Sequence, residues 1–207
     1  MFNKNIGILD YGVGNVKSIQ NMLWRINYDS KIIHSPKDLA TIKKLILPGV
    51  GSYDTAINHL RERKFFKAII DFSGFGEILG ICLGMQILGD SSEEGNQEGL
   101  GIIPGNVRRF VDHELVVPHI GWNYVKFIDD EFFGSKLIRE RYYFVHSYYF
   151  DPISKNNIKG ITSYGVDFAS VISNNQNVHG CQFHPEKSHQ FGKNLLRTFC
   201  ENNPSRS

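Results

Sequence analysis

The sequence predicts an α/β fold with a central, mostly parallel sheet, helices on both faces and an added antiparallel β region. Three observations predict it. Short apolar runs alternate with helical patterns up to Leu88, the signature of a parallel sheet covered by helices. Three of these runs, Ile6–Leu9, Leu45–Leu47 and Ile78–Cys82, end in glycine-bearing turns. From Val107 to Ser173 the pattern changes to β-branched and aromatic runs separated by Gly, Asn and Asp, which read as antiparallel strands.

The elements follow in order. Ile6 to Leu9 is a strand, and Asp10-Tyr11-Gly12-Val13-Gly14-Asn15 a turn-rich loop. That loop lacks the third glycine of a dinucleotide fingerprint and the Lys-Ser/Thr of a phosphate loop, so it reads as an active-site rim or partner surface. Ser18 to Ile26 has helical spacing through Ile19, Met22, Leu23 and Ile26. Lys31–Ile33 is a strand, and Ser35-Pro36 opens a short helix. Leu45–Leu47 is a strand that stops at Pro48-Gly49-Val50-Gly51, with Ser52 as a candidate cap for one helix over Tyr53–Ile70. Ile78–Cys82 is the fourth strand, and Met85–Leu88 suits a helix. Ser91–Gly99 is a polar loop. Strands are expected over Val107–Phe110, Asn123–Phe127, Tyr142–Phe150, Gly160–Ser163 and Phe168–Ile172, forming a meander or hairpins beside the parallel core. Val178–Phe183 is the last strand. Ser188 caps a terminal helix running through Phe199, and Asn202–Ser207 is expected to fray.

Chemistry concentrates at the strand ends, where ligands of such sheets bind. Asp10, Pro48–Gly51 and Cys82 all lie there. Cys82 is flanked by Gly80 and Gly84 between an apolar strand and a helix. This is the layout of a nucleophile elbow, whose helix N-terminus favours a thiolate. A buried structural cysteine is the competing reading. Pro-Gly-Val-Gly leaves backbone N–H groups free to bind an oxyanion, or is a plain turn. His184-Pro185-Glu186 places an imidazole and a carboxylate two apart in an extended stretch, so that both project to one side. A carboxylate there holds the tautomer of the imidazole. Val117-Pro118-His119-Ile120-Gly121-Trp122-Asn123 is either a core turn or a functional rim. Glu93 and Glu94, read alone, are solvated charges.

Bulk properties narrow the classes. The 207 residues suit a single domain over 1–207. The net charge of +2 gives no reason to expect nucleic acid or a membrane surface. Apolar runs are far short of a membrane span, and no signal-peptide core precedes the first strand. Three cysteines without Cys-x-x-Cys spacing argue against a disulfide framework or a zinc site, and suit a reducing, cytoplasmic setting. No metal or cofactor is expected.

With Gly80-Ile81-Cys82-Leu83-Gly84-Met85-Gln86 and His184-Pro185-Glu186 on the page, the chain resembles the class I (triad) glutamine amidotransferases, which have a flavodoxin-like fold. Asp10-Tyr11-Gly12-x-Gly14-Asn15, Pro48-Gly49-Val50-Gly51, Ser92-x-Glu94-Gly95, Pro118-His119-Ile120-Gly121-Trp122-Asn123, Phe144-Val145-His146-Ser147-Tyr148 and Gln182-Phe183-His184-Pro185-Glu186-Lys187-Ser188 look like the HisH family, the glutaminase subunits of imidazole glycerol phosphate synthase. The resemblance runs from about Ile6 to Phe199. It implies that Cys82 attacks the glutamine carboxamide, His184 moves protons and Glu186 orients His184. It implies an oxyanion hole from Leu83 and from Val50 and Gly51. Glutamine would be held by Gly49, Gln86, Glu94, Ser147 and Tyr148. The implied partner is a (β/α)₈ barrel cyclase, HisF-like, reached through Asn15, Trp122 and Lys187, and receiving ammonia across the shared interface in histidine biosynthesis.

Departures from the family pattern are modest. Gly89-Asp90 stands where relatives often carry bulkier residues, and the loop at His113-Glu114-Leu115 is short. Two other readings compete. A paralogous glutaminase that feeds amidation of a surface sugar would share every motif. A stand-alone thiol hydrolase or peptidase would have no use for the Pro118–Asn123 rim.

Overall fold

The computed structural model describes residues 5–111, 115–128 and 139–201. His113, Glu114 and the tail 202–207 lie outside them. The chain runs β1 (Ile6–Leu9), α1 (Val16–Arg25), β2 (Lys31–Ile33), a 3₁₀ turn (Pro36–Thr41), β3 (Lys44–Leu47), α2 (Tyr53–Glu62), α3 (Phe65–Ser73), β4 (Glu77–Ile81) and α4 (Leu83–Gln86). There follow β5 (Ser91–Ser92), β6 (Gly105–Arg109), β7 (His119–Phe127), β8 (Arg139–His146), β9 (Tyr148–Pro152), β10 (Ile158–Tyr164), β11 (Val166–Ser173), β12 (Val178–Cys181) and α5 (His189–Glu201).

One sheet carries all of these strands. Its main path is β2-β1-β3-β4-β12-β11-β10-β7-β8, with β5, β6 and β9 branching from β11. The strands from β2 to β12 are parallel, and β11, β10, β7 and β8 continue antiparallel. The β-rich half is therefore an extension of the parallel sheet and not a separate meander beside it. β11 makes the join, pairing Val171 with Cys181 on one edge and Val171 with Gly160 on the other.

The parallel strands alternate their side chains between two cores. Leu45, Leu47 and Ile78 pack with α2 and α3 through Ile57, Leu60, Phe65 and Ile69. Ile46, Leu79 and Ile81 pack on the other face with α1 and α5 through Ile19, Leu23, Leu195 and Leu196. All four parallel strands of the centre are buried on both faces, which is why their sequences read as unbroken apolar runs. Each fully buried aliphatic side chain contributes roughly 1.5–3 kcal/mol.

Four local readings need correction. The helix expected over Tyr53–Ile70 is two helices, broken at Lys64, which sits at φ 62°. Leu60 and Phe65 are five residues apart, a spacing that places them on different faces of one helix; a single left-handed residue returns Phe65 to the core. The strand expected over Tyr142–Phe150 breaks at Ser147, where the chain leaves β7 and joins β6 and β11. His184 is extended as expected, at φ −99° and ψ 99°, but the stretch does not continue so through Glu186, because Pro185–Lys187 forms a 3₁₀ turn. Ser188 does not cap α5 with its side chain. Its hydroxyl donates to His184 O at 2.6 Å and accepts from Tyr143 N–H at 3.0 Å, tying the turn to β8.

Candidate active site

The sheet register assembles the site. β12 lies parallel to β4 with Gly180 opposite Gly80 and Cys181 opposite Ile81, and Cys82 N–H donates to Cys181 O at 2.8 Å. Two strand ends distant in sequence thus deliver Cys82, Gln182 and His184 to one point.

Cys82 has φ 55° and ψ −113°. A side-chain-bearing residue in such a region costs roughly 1–3 kcal/mol and persists where its surroundings impose it. Packing of the turn imposes it here. A β-carbon on Gly80 would stand 2.5 Å from Gly84 O, and one on Gly84 would run into Leu47 O. Gly49 is equally constrained, its β-carbon position being 2.5 Å from Gly84 N. The end of β3 therefore meets the turn after β4 backbone against backbone, Leu47 O against Gly84. Gly84→Ala is expected to cost at least about 3 kcal/mol, since the obstacle is a β-strand carbonyl and not a mobile side chain. Urea denaturation reads this, and a midpoint unchanged from the wild-type chain would refute it.

The helix behind Cys82 is a single turn, Leu83–Gln86, beginning two residues before the Met85 start expected. Its first free amides are largely taken: Met85 and Gln86 N–H donate to Cys82 O at 3.0 and 3.1 Å. Leu83 N–H remains, without a partner among the described residues. A turn of four residues has little macrodipole, so the helix supplies less stabilisation to a thiolate than the sequence suggested.

His184 Nδ1 is 2.9 Å from Glu186 Oε1, with both side chains 2 % exposed. Since the carboxylate accepts, Nδ1 carries the proton and Nε2 is turned away from it. Nε2 is buried with no hydrogen-bond partner of normal geometry. Burial acts to lower the His184 pKa, but the adjoining Cys82 sulfur and Glu186 outweigh it and raise it to about 10. A thiol beside an imidazole whose far nitrogen is held by a carboxylate is the arrangement of a nucleophile, its base and an orienting group.

These groups open on a pocket of about 310 Å³ lined by Val50, Gly51, Cys82, Leu83, Gln86, Glu94, Pro118, Val145, His146, Ser147, Tyr148 and His184. Most of the residues singled out from sequence meet there. Gly49 does not line it; it is buried against Leu83 and Gly84. Glu186 lies behind His184. Asp10 is elsewhere, its carboxylate accepting from Gly12 N–H and lying 3.4 Å from His34. Glu94 accepts from Tyr53 N–H at 2.9 Å, the first amide of α2, and burial raises its pKa. Gln86 is buried, and its Nε2 donates to Tyr148 O at 2.9 Å and Gln182 Oε1 at 3.0 Å.

Asn15, Trp122 and Lys187 stand outside the pocket. Asn15 Oδ1 caps α1 by accepting from Ser18 N–H at 3.3 Å. Trp122, 38 % exposed, stacks on His189 with centroids 5.2 Å apart. Exposed Lys187 places Nζ 5.5 Å above the Tyr143 ring. Sequence reasoning did not assign roles to Pro118, Val145, His146 or Gln182. Their place in conspicuous motifs was the available signal.

The model of the family described as glutamine amidotransferase class-I matches residues 7–203. The imidazole glycerol phosphate synthase subunit HisH 2 of Methanococcus maripaludis is 44% identical over 199 residues, covering 94% of this chain and 98% of the relative. The HisH subunit of Leptospira borgpetersenii is 43% identical over 201 residues, with the same coverage. The chain belongs to the class-I glutamine amidotransferases, in the HisH family. Solved structures agree on the fold of this amidotransferase. A crystal structure of a glutamine amidotransferase matches with a TM-score of 0.75 at 19% identity, covering 95% of this chain and 97% of the other. The structure of PurLQS from Thermotoga maritima matches with a TM-score of 0.78 at 17% identity, covering 96% and 98%. Among the described residues of this enzyme, no helix is long and apolar enough to cross a membrane, and no group of three or more His, Cys, Asp or Glu could hold a metal ion.

Proposed function

We propose that the chain, as one amidotransferase domain, hydrolyses glutamine to glutamate and ammonia and passes the ammonia to a (β/α)₈ barrel cyclase that makes imidazole glycerol phosphate and AICAR in the cytoplasmic pathway to histidine. The observation that carries this reading is the strained Cys82 beside a His184 held by Glu186, in a pocket lined by Glu94 and Gln86. The names of the relatives support the subunit type.

The chemistry follows from the groups present. Cys82 thiolate attacks the side-chain carbonyl carbon of glutamine. His184, as imidazolium, donates its Nε2 proton to the departing nitrogen, and ammonia leaves. The glutamyl thioester remains on Cys82. Neutral His184 then takes a proton from water, whose oxygen attacks the thioester, and glutamate is released with the thiolate restored. Leu83 N–H and the Val50-Gly51 peptide groups stabilise the oxyanion of each tetrahedral intermediate. Glu94 pairs with the substrate α-ammonium. Gln86 has both amide protons engaged, which leaves its Oε1 for the substrate, beside Ser147, Tyr148 and the Gly49 backbone. No cofactor is required, since every step is proton transfer or acyl transfer. Ammonia must leave through the protein, because in water it protonates and ceases to be a nucleophile. The exposed Trp122, Asn15 and Lys187 are the groups assigned to the cyclase interface.

Glutamate release should be measured with the chain alone, with a HisF-like cyclase, and with cyclase plus its nucleotide substrate. The expected result is slow hydrolysis alone and a rise of tenfold or more with liganded cyclase. Hydrolysis indifferent to the cyclase would overturn the histidine-pathway reading and favour a different ammonia acceptor. Absence of glutamine hydrolysis in all three samples would overturn the glutaminase reading itself.

A further inference from the structure

We propose that Gln182 is a hydrogen-bond donor to the Cys82 thiolate, and that a directed chain of buried side chains anchored on one carbonyl fixes the direction of its amide. The inference rests on Cys82 being the nucleophile. Gln182 is wholly buried, and its Nε2 lies 3.7 Å from Cys82 Sγ. The sulfur is otherwise 4.0 Å from Val145 O, a group that accepts and so disfavours negative charge. With α4 too short to supply a strong dipole, Gln182 is, among the described residues, the side-chain donor that meets the sulfur besides the His184 imidazole.

An amide can present oxygen or nitrogen, and its fixed neighbours decide which. Tyr148 O can only accept. Gln86, 2.9 Å from it, must therefore turn Nε2 towards it. The second proton of that same nitrogen points at Gln182, which must answer with oxygen, at 3.0 Å. Gln182 then has only its nitrogen left to face the sulfur. Tyr148 O accepts a second bond, from His146 Nδ1 at 2.8 Å. His146 Nε2 thus carries no proton and accepts from His119 Nδ1 at 3.0 Å. His119 Nε2 accepts in turn from Asn123 Nδ2 at 3.3 Å, and Asn123 Nδ2 also donates to Ser163 O at 3.0 Å. Two carbonyls, Tyr148 O and Ser163 O, fix the sense of the bonds: Asn123, His119 and His146 donate in succession into Tyr148 O, while Gln86 donates both into it and outward to Gln182. Burial holds both histidines neutral, with pKa values lowered to about 3 for His146 and about 4 for His119. Neither flips its role at physiological pH. The histidine arm starts on β7 at Asn123, next to exposed Trp122, and ends at Tyr148 O; the glutamine arm runs from Tyr148 O through Gln86 and Gln182 to the sulfur.

The titratable groups facing Cys82 are His184 with Glu186 behind it, Cys181 across the β4–β12 pair, the buried Tyr11 hydroxyl and His146 of the pocket wall. None of them replaces an amide donor. Gln182→Met keeps length and volume while removing the donor. Iodoacetamide alkylation of Cys82 in the full chain, located by peptide mass spectrometry across pH, reads thiolate availability. A hydrogen bond to a charged group justifies an expected loss of about tenfold in alkylation rate at neutral pH, with the pH profile displaced upwards. In glutamine hydrolysis kcat should fall by a similar factor while KM holds, because the donor touches the sulfur and not the substrate. An alkylation profile superimposable on that of the wild-type chain would show that Gln182 only fills space and would overturn the proposal. If Gln182→Met does not fold, the wild-type chain decides. One Gln182 side-chain amide proton should move downfield in NMR spectra over the pH range where alkylation accelerates, and should stay fixed in Cys82→Ala. An amide resonance insensitive to both would overturn the proposal as well. Failure of the nucleophile reading is separate, since it would show as hydrolysis retained in Cys82→Ala.

Discussion

Cys82→Ala is expected to keep the fold and lose glutamine hydrolysis by roughly 10⁴–10⁶-fold, as in other enzymes stripped of a covalent nucleophile. Besides adjoining His184, the thiol's hydrogen bonds among the described residues are long, with Gln182 Nε2 at 3.7 Å and Val145 O at 4.0 Å, so losing them costs the fold little. The other two cysteines cannot stand in. Cys181 is fully buried on β12, and burial pushes its thiol well above the ordinary range. Cys200 lies in α5 near Lys44 and Glu77, at the starting ends of β3 and β4 and so opposite the ends that carry the pocket, and burial pushes it up to about 12. Neither is a thiolate at neutral pH, and neither lines the pocket. The measurement is glutamate release in the presence of liganded cyclase, with circular dichroism as a folding control. Residual activity within tenfold of the wild-type chain would place the nucleophile elsewhere.

The parallel half of the fold was legible because its strands are buried on both faces. Ile6–Leu9, Leu45–Leu47 and Ile78–Ile81 read as apolar runs without needing a partner to explain them. The boundaries that failed depend on tertiary geometry. Nothing local in Glu62-Arg63-Lys64 announces a left-handed turn; only the five-residue gap from Leu60 to Phe65 hints at it. Ser147 breaks a strand because the chain changes partner from β7 to β6 there, and pairing is invisible along one strand. The same division holds at the site. Cys82 and the His184–Glu186 pair declare themselves by residue type, glycine spacing and proline. Glu94 could be lifted above Glu93 only by family resemblance; in the fold Glu93 pairs with exposed Arg108 at 2.9 Å while Glu94 faces the pocket. Gln182 and His146 are marked only by the motifs they sit in, which do not say what either side chain does. Their roles come from the register that sets Cys181 against Ile81 and from one carbonyl that receives two donors.

Glu186→Gln is expected to lower kcat by about 10²–10⁴-fold with KM little changed, because the replaced group never meets the substrate and acts through His184. The carboxylate does two things for the imidazole. It accepts from Nδ1–H at 2.9 Å, which leaves Nε2 to the thiol, and its charge helps raise the His184 pKa to about 10. A glutamine side chain retains shape but loses the charge, and when its nitrogen faces His184 it selects the wrong tautomer. The atom that replaces Glu186 Oε2, which has no partner among the described residues, stays buried and unpartnered. The sign of the pH effect follows. A folded-state pKa above the unfolded value of about 6.5 means that the protonated imidazole stabilises the fold fully below pH 6.5. That contribution is lost as pH rises through about 10. In Glu186→Gln the contribution is smaller and is exhausted at lower pH, so the two chains should differ most in Tm under mildly acidic to neutral conditions and converge above pH 10. The alkaline limb of the hydrolysis profile should shift the same way, because the leaving nitrogen needs the imidazolium proton. Melting curves and glutamate release across pH 6 to 10 test both halves. A variant with the wild-type kcat and an unshifted alkaline limb would leave His184 oriented by its backbone turn alone, and Glu186 without a part in the chemistry.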